Sequence, residues 1–328
     1  MKRNELISRL FVISICLATV AIPVSLYLSG RSDILHARMA ENGGWTPQTI
    51  YAHAGQPVHL RITSDDVMHS FAIGRSDQPA VDIEPGKVTE LSLTFERPGI
   101  YTFYCTRWCG LNHWRMRGTI EVSGDPVDPE AATEPLYMKL GLDIDAPHPA
   151  QVIPAQAPSA SEGEELAAAL PDLERLLSSD YYRSHSPAEA FSELAQAPLT
   201  DLQKWDAVAY LWRSNTNARQ LEAGRQLFSQ NCAACHGEQG GGDGVFSDDL
   251  AAAGTASTQH MEGAAGMSMQ APADFTDVEH MMGASPALLQ GKMLRGGMGT
   301  GMPMWGTILT DEQTWSLVAY LYSLQFRY

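Results

Sequence analysis

Positive charge is scarce in this chain of 328 residues: 22 Lys and Arg stand against 38 Asp and Glu, a formal net charge of −16. A surface of that sign disfavours nucleic acid and suits a basic partner. The deficit is uneven, because residues 125–217 alone hold 5 Lys and Arg against 16 Asp and Glu, and a solvated connector accounts for that equally well. Cysteine is sparse too. Of the five, Cys16 lies inside an apolar run with no small residue before it, which argues against lipid attachment and for a buried thiol. Cys105 with Cys109 and Cys232 with Cys235 are spaced too locally to staple a large fold, which sets aside a disulfide framework. Long apolar runs are limited to residues 10–28, "LFVISICLATVAIPVSLYL", about long enough to cross a bilayer core of ~30 Å. With Lys2, Arg3 and Arg9 on its N-terminal flank, this run predicts an anchor that keeps the N-terminus cytoplasmic and exports the rest. A cleaved signal peptide is the rival reading.

What is present divides into units. Residues 45–122 read as short alternating or apolar strands ("VHLRITS", "HSFAIG", "TELSLTF", "GTIEV") punctuated by "AGQP", "EPGK" and "RPGI", the pattern of a small all-β sandwich or barrel. Residues 124–160 are proline-rich without periodicity and read as a semi-extended linker. From Glu162 onward the pattern is helical. Residues 199–211, "LTDLQKWDAVAYL", match residues 309–321, "LTDEQTWSLVAYL", at nine of thirteen positions, and "SPA" precedes each, at Ser186 and Ser285. The first copy is either the remnant of a second domain or an additional amphipathic helix with a similar cap. The expected division is an anchor at 1–30, a β unit at 31–124, an acidic linker and helical segment at 125–217, and an all-α unit at 218–328.

The densest chemistry lies in "CTRWCGLNHWRM", which holds Cys105, Cys109, His113 and Met116. Thiolates and a thioether are soft ligands and imidazole is borderline, a mixture that selects copper or zinc over oxygen-loving ions. Mononuclear blue copper uses one cysteine, so a second cysteine on the same loop points to a second metal. Upstream, "DVMHSF" offers His69. Two metals bridged by two thiolates would then take one histidine each, with Met116 and a backbone carbonyl as weak outer ligands. Zinc in a Cys2His2 site is the alternative, though it would leave Met116 unused.

The stretches "SDDVMHSFAIG", "EPGKVTELSLTFERPGIYTFYC" and "CTRWCGLNHWRMRGTIEV" resemble the binuclear CuA domain of cytochrome c oxidase subunit II, particularly its one-helix, ba-type form. The resemblance implies a cupredoxin sandwich in which His69, Cys105, Cys109, His113 and Met116 hold the copper pair and Arg107 supplies the carbonyl. It also implies one departure. The common form has Glu at the position of Arg107, where it touches a magnesium, so no magnesium site is expected here.

"CAACH", Cys232 to His236, is the C-x-x-C-H attachment signature of c-type haem: two thioethers hold the porphyrin and His236 binds iron on one face. "GTGMPMWG" places Met302 on a Gly/Pro loop before the last amphipathic helix, as the expected sixth ligand, with Met304 and Met298 as neighbouring alternatives. With "CHGEQGGGDG" and "PADFT", residues 218–324 resemble a class I cytochrome c. His260 and His280 read as surface or packing residues, and His53, His59, His148 and His185 have no partners at ligand spacing.

Neither cluster has an open coordination position or an acid–base pair for bond-making chemistry. The combined architecture resembles subunit II of haem–copper oxidases with a fused cytochrome c. That implies a single-pass protein of a bacterial-type plasma membrane, with both redox domains on the outer side. Electrons would pass from a soluble cytochrome c or copper protein to covalent haem c, then to CuA, then to a separate catalytic subunit that reduces O2. A CuA-bearing nitric oxide reductase and a free-standing periplasmic carrier are the alternatives. Arg107, Arg115 and Arg117 beside Trp108 and Trp114 form a basic, aromatic rim on which the acidic cytochrome is expected to dock, the linker keeping its effective concentration high. The alternative is that these arginines face the catalytic subunit or lipid headgroups.

Overall fold

The structure, a computed structural model of the chain, describes residues 34–76, 78–110, 113–125, 134–248, 271–297 and 302–328. The expected anchor at 1–30, Cys16, His260 and Met298 lie outside these residues, as does the side chain of Trp114. Among the described residues no helix is long and apolar enough to cross a membrane.

Among the described residues, eight strands form two sheets. One holds β1 (Ile34–Ala37), β3 (Pro57–Ser64) and β6 (Val88–Thr94) in the order β1-β3-β6. The other holds β2 (Thr49–His53), β4 (His69–Ile73), β5 (Val81–Ile83), β7 (Gly99–Tyr104) and β8 (Arg117–Ser123) in the order β2-β8-β7-β4-β5. The two-residue period sets the faces: along β8, Gly118, Ile120 and Val122 are buried while Glu121 faces out. Between the sheets Trp45, Phe71 and Phe103 pack ring against ring, with centroids 5.2–5.8 Å apart. That aromatic cluster belongs to a core shared with Cys105, Cys109 and Met116.

The helical part comprises α1 (Leu136–Lys139), α2 (Ala160–Glu165), α3 (Leu173–Leu176), α4 (Ser179–Ser184), α5 (Pro187–Glu193), α6 (Asp201–Ser214), α7 (Ala218–Asn231), α8 (Ala233–His236), α9 (Val278–Gly283), α10 (Pro286–Arg295) and α11 (Asp311–Ser323). Ile144, Leu176, Tyr182 and Trp212 from the segment before residue 218 share one core with Phe228, Leu317 and Tyr322 from after it. The stretch expected as a semi-extended linker is extended but not loose. Ile144 is buried, Arg295 donates two hydrogen bonds to Asp145 at 2.5 Å, and the Ala150 N–H donates to Glu279 O at 3.0 Å. Proline removes helical periodicity without removing apolar side chains, so a strap that packs looks in sequence like one that does not.

The repeat is a structural one. Thr200 with Gln203 and Thr310 with Gln313 build the same capping box on α6 and α11. Ser186 and Ser285 cap α5 and α10, each with Pro in the first turn. Each C-terminal helix crosses a glycine: a Cβ on Gly163 of α2 would collide with Asp206 O, and one on Gly224 of α7 with Ser316 O. Asp206 and Ser316 occupy the same position in the repeat. The crossing is therefore duplicated, which favours the remnant of a second domain over a lone similar helix. Far fewer residues separate glycine from partner in the first copy, which lacks a C-x-x-C-H sequence there.

Candidate metal centres

The loop joining β7 to β8 is closed at its base by the Tyr104–Arg117 pairing and by the Cys105 N–H donating to Met116 O at 3.1 Å. His69 opens β4, whose Ala72 pairs with Tyr104. Strand register thus brings five ligand-type side chains together. The ligand atoms of His69, Cys105 and Cys109 all lie within 4.8 Å of one another. They sort into two halves. Cys105 Sγ lies 3.9 Å from His69 Nδ1 and 3.2 Å from Arg107 O. Cys109 Sγ lies 3.2 Å from both His113 Nδ1 and Met116 Sδ. Each sulfur has one imidazole and one weak donor, which fits two soft cations sharing two thiolates. A zinc ion would use neither Met116 nor the carbonyl.

Polar neighbours orient the donors. Asp66 Oδ1 lies 2.7 Å from His69 Nε2, leaving Nδ1 for a metal. Burial alone would raise Asp66, but hydrogen bonds from His69 and from the Met39 and Val67 N–H groups outweigh it and hold the carboxyl at about 2. The Cys109 thiol donating to Cys105 holds the Cys105 thiol well below its ordinary value, against burial and with help from His113 and His69. The Arg107 side chain turns away from the cluster to clasp Asp82 through two hydrogen bonds of 2.6 and 2.5 Å, while its carbonyl faces Cys105.

In the helical part, Cys232, Cys235, His236 and Met302 line one hollow of about 280 Å³, with Phe228, Phe275, Trp305 and Leu321 among the apolar walls. Ala273 O lies 3.0 Å from His236 Nδ1, which leaves Nε2 for iron. Burial lowers the His236 imidazole, against the Ala273 carbonyl, and raises the Cys232 thiol to about 12. A flat apolar group bound by two thioethers, one imidazole and one thioether fits this donor set. Met304 is 52% exposed and does not line the hollow, so Met302 is the better axial candidate. His280 stands instead against His148, ring centroids 4.4 Å apart. A larger hollow of about 580 Å³ beside His148, His185 and Glu189 collects none of the expected ligands.

The two centres meet. Trp108, beside Cys109, stacks on Phe246 with ring centroids 4.0 Å apart, and the Phe246 N–H donates to Ala234 O between the haem cysteines. Arg117, beside Met116, donates to Met304 O at 3.2 Å and sits 5.6 Å from the Trp305 ring centroid. Burial lowers its guanidinium to about 10. Of the described side chains of the expected basic rim, Arg117 and Trp108 make this contact, while Arg107 is held by Asp82 and Arg115 is exposed. Sequence reasoning missed Asp66, Asp82, Phe246 and Trp305. Only Asp66, three residues before His69, carried a local signal.

Residues 45–123 match the family described as cytochrome c oxidase subunit II, periplasmic domain, and residues 221–325 match cytochrome c. Two cytochrome c oxidase subunit 2 proteins of Thermus thermophilus are 39% identical over 79 residues, 24% of this chain and 58% or 46% of theirs. The Apis florea subunit 2 is 34% identical over 95 residues, 29% of this chain and 40% of its own. The chain thus spans about half the length of the curated relatives it matches. Among solved structures, a heme-copper terminal oxidase dimer is similar at 26% identity and TM-score 0.24, over 37% of this chain and 100% of that one. The periplasmic domain of subunit II of cytochrome oxidase from Bradyrhizobium japonicum is similar at 25% identity and TM-score 0.22, over 24% and 55%.

Proposed function

We propose, for a chain in which a subunit II periplasmic domain of cytochrome c oxidase is joined to a cytochrome c domain, that it is the electron-entry subunit of a membrane haem–copper oxidase. It takes electrons from an external donor and delivers them to a separate catalytic subunit. The observation that carries this reading is that one chain assembles two donor sets: the copper-type set is buried, with His69, Cys105 and Met116 each at most 4% exposed, and the haem-type set is half-buried around one hollow. No position is left where a substrate could bind a metal and react.

In this reading His69, Cys105, Cys109, His113, Met116 and the Arg107 carbonyl hold a copper pair, and Cys232, Cys235, His236 and Met302 hold haem c. Bound there, the two groups supply one-electron storage. The chain supplies rigidity and dryness. A loop fixed at both ends by the β7–β8 ladder keeps the same donor geometry in either oxidation state, Asp66 fixes the His69 ring, and Ala273 O fixes His236. Residues 10–28 anchor the chain in the plasma membrane with both units on the outer side.

The test is to purify the membrane complex and measure copper, haem, the mixed-valence signal of the copper pair, and turnover with O2 and NO. The reading predicts a copper pair and one covalent haem per chain, a co-purifying catalytic subunit, and O2 consumption. Turnover of NO alone would replace the oxidase with a nitric oxide reductase. A chain that purifies without membrane partners would leave only a tethered carrier.

A further inference from the structure

We propose that the cytochrome unit works from a fixed dock on the copper loop and does not swing to it on a tether. The proposal rests on the two-centre reading above and adds how the centres are held. Two segments of the cytochrome unit touch the loop and its end: Phe246, tied to the C-x-x-C-H helix, stacks on Trp108, and the Met304–Trp305 turn receives Arg117. Each contact residue of the loop is the immediate neighbour of a copper-ligand candidate, Cys109 or Met116. On the other side, Met304 follows Met302 by two positions, and Phe246 is hydrogen-bonded to Ala234 between the two haem cysteines.

Beyond β4 the backbones themselves come together. The Arg75 N–H donates to Ile308 O at 2.8 Å. A Cβ on Gly74 would lie 2.5 Å from Thr307 O and 2.9 Å from Ile308 Cα. Glycine is needed at 74 because rigid backbone from the other unit occupies the space of any side chain. The dock is also short of charge pairing: Arg117 meets a carbonyl and an indole ring, and Trp108 meets a phenyl ring. A tethered encounter guided by opposite charges weakens as salt rises, whereas a contact made without opposite charges is screened little. Gly74, Trp108, Arg117 and Phe246 are therefore positioning residues. The step they serve moves one electron from the iron side to the copper side; no bond forms or breaks, and no proton moves.

Gly74→Val and Phe246→Ala test the dock in the full-length, cofactor-loaded protein, since neither residue is a ligand candidate. Small-angle scattering and hydrogen exchange at the Arg75 amide report the dock whether or not either centre carries its cofactor. Flash-initiated haem-to-copper transfer reports its consequence. In the unaltered protein the transfer rate is expected to be the same at low and high salt. Gly74→Val should expand the particle, release the Arg75 amide and slow transfer severalfold, since the rate of electron transfer falls steeply as the two centres are moved apart. The optical spectra of both centres should not change. Phe246→Ala should slow transfer less. Unaltered scattering, exchange and rate in both variants would overturn the dock, as would a steep salt dependence in the unaltered protein. A lack of copper or haem in the purified chain would instead sink the two-centre reading and leave the dock to scattering and exchange.

Discussion

Around the copper loop the donor atoms already lie 3.2–3.9 Å from their neighbours, whereas in the helical unit they line a hollow of about 280 Å³. The loop is shaped by strands whose core is anchored by the mutually packed rings of Trp45, Phe71 and Phe103, with Cys105, Cys109 and Met116 at its edge. The hollow is walled by Phe228, Trp305, Leu317 and Leu321, which belong to the main helical core. A copper pair held by the loop would thus be added at one edge of a sandwich with packing of its own, while a haem in the hollow would itself be a core element of its unit. Removing each group should have very different structural consequences.

The largest effect follows from emptying the hollow. An empty hollow of this size leaves Phe228, Leu317 and Leu321 without the apolar partner their faces are shaped for, in a unit held folded by only ~5–15 kcal/mol. Cys232→Ala with Cys235→Ala should therefore melt most of the helical unit, seen as loss of far-ultraviolet circular dichroism. Cys105→Ser should abolish the copper absorbance and leave the sandwich folded, with its melting temperature lowered by a few degrees. Equal losses of structure in the two variants would break the comparison.

The same difference explains what could be read from sequence. The copper-ligand candidates and the C-x-x-C-H segment stand out in the sequence because each packs its chemistry into a dozen positions or fewer, and His69 because it stands in a distinctive "DVMHSF". Alternation made the strands legible. Residues 134–217 were not legible as part of the helical core, because what Ile144, Asp145 and Leu176 contribute depends on Arg295 and on residues far along the chain. The dock was half legible: Arg117 and Trp108 stood out as basic and aromatic beside the ligands. Their partners Phe246, Met304 and Trp305 gave no sign, since an apolar contact between units leaves no periodicity in either one.

A smaller effect separates the two halves of the copper loop. The His69 ring is steered by Asp66 at 2.7 Å, while Asp82 merely holds the outward side chain of Arg107. Asp66→Ala should weaken copper binding by about 10–100-fold, the usual consequence of losing a carboxylate behind a ligand histidine. Asp82→Ala should change it far less, because the Arg107 donor is a backbone carbonyl. Copper titration against a competing chelator measures both. Equal weakening would mean that the loop is fixed from its surface and not from its strands.

The smallest expected effect concerns acid, and it belongs to the helical unit. His148 lies in the strap, its Nδ1 3.3 Å from Ala146 O and its Nε2 buried without a hydrogen-bond partner. Burial, reinforced by His280 and then Lys292, lowers this imidazole to about 4. Burial and Lys292 lower His280 as well, with Asp277 and Asp274 opposing. An unfolded histidine takes up its proton near pH 6.5, so between about pH 6.5 and 4 the unfolded chain binds a proton at this position that the folded one does not. Stability therefore rises with pH across that window and is lost as pH falls through it. Because the ring is only partly buried, solvent screening keeps the loss to on the order of 1 kcal/mol. Chemical denaturation of the helical unit at a series of pH values should show this slope, and His148→Gln should flatten it. The sandwich contains neither histidine, so a transition of the sandwich that responded to His148→Gln would show the two units unfolding as one.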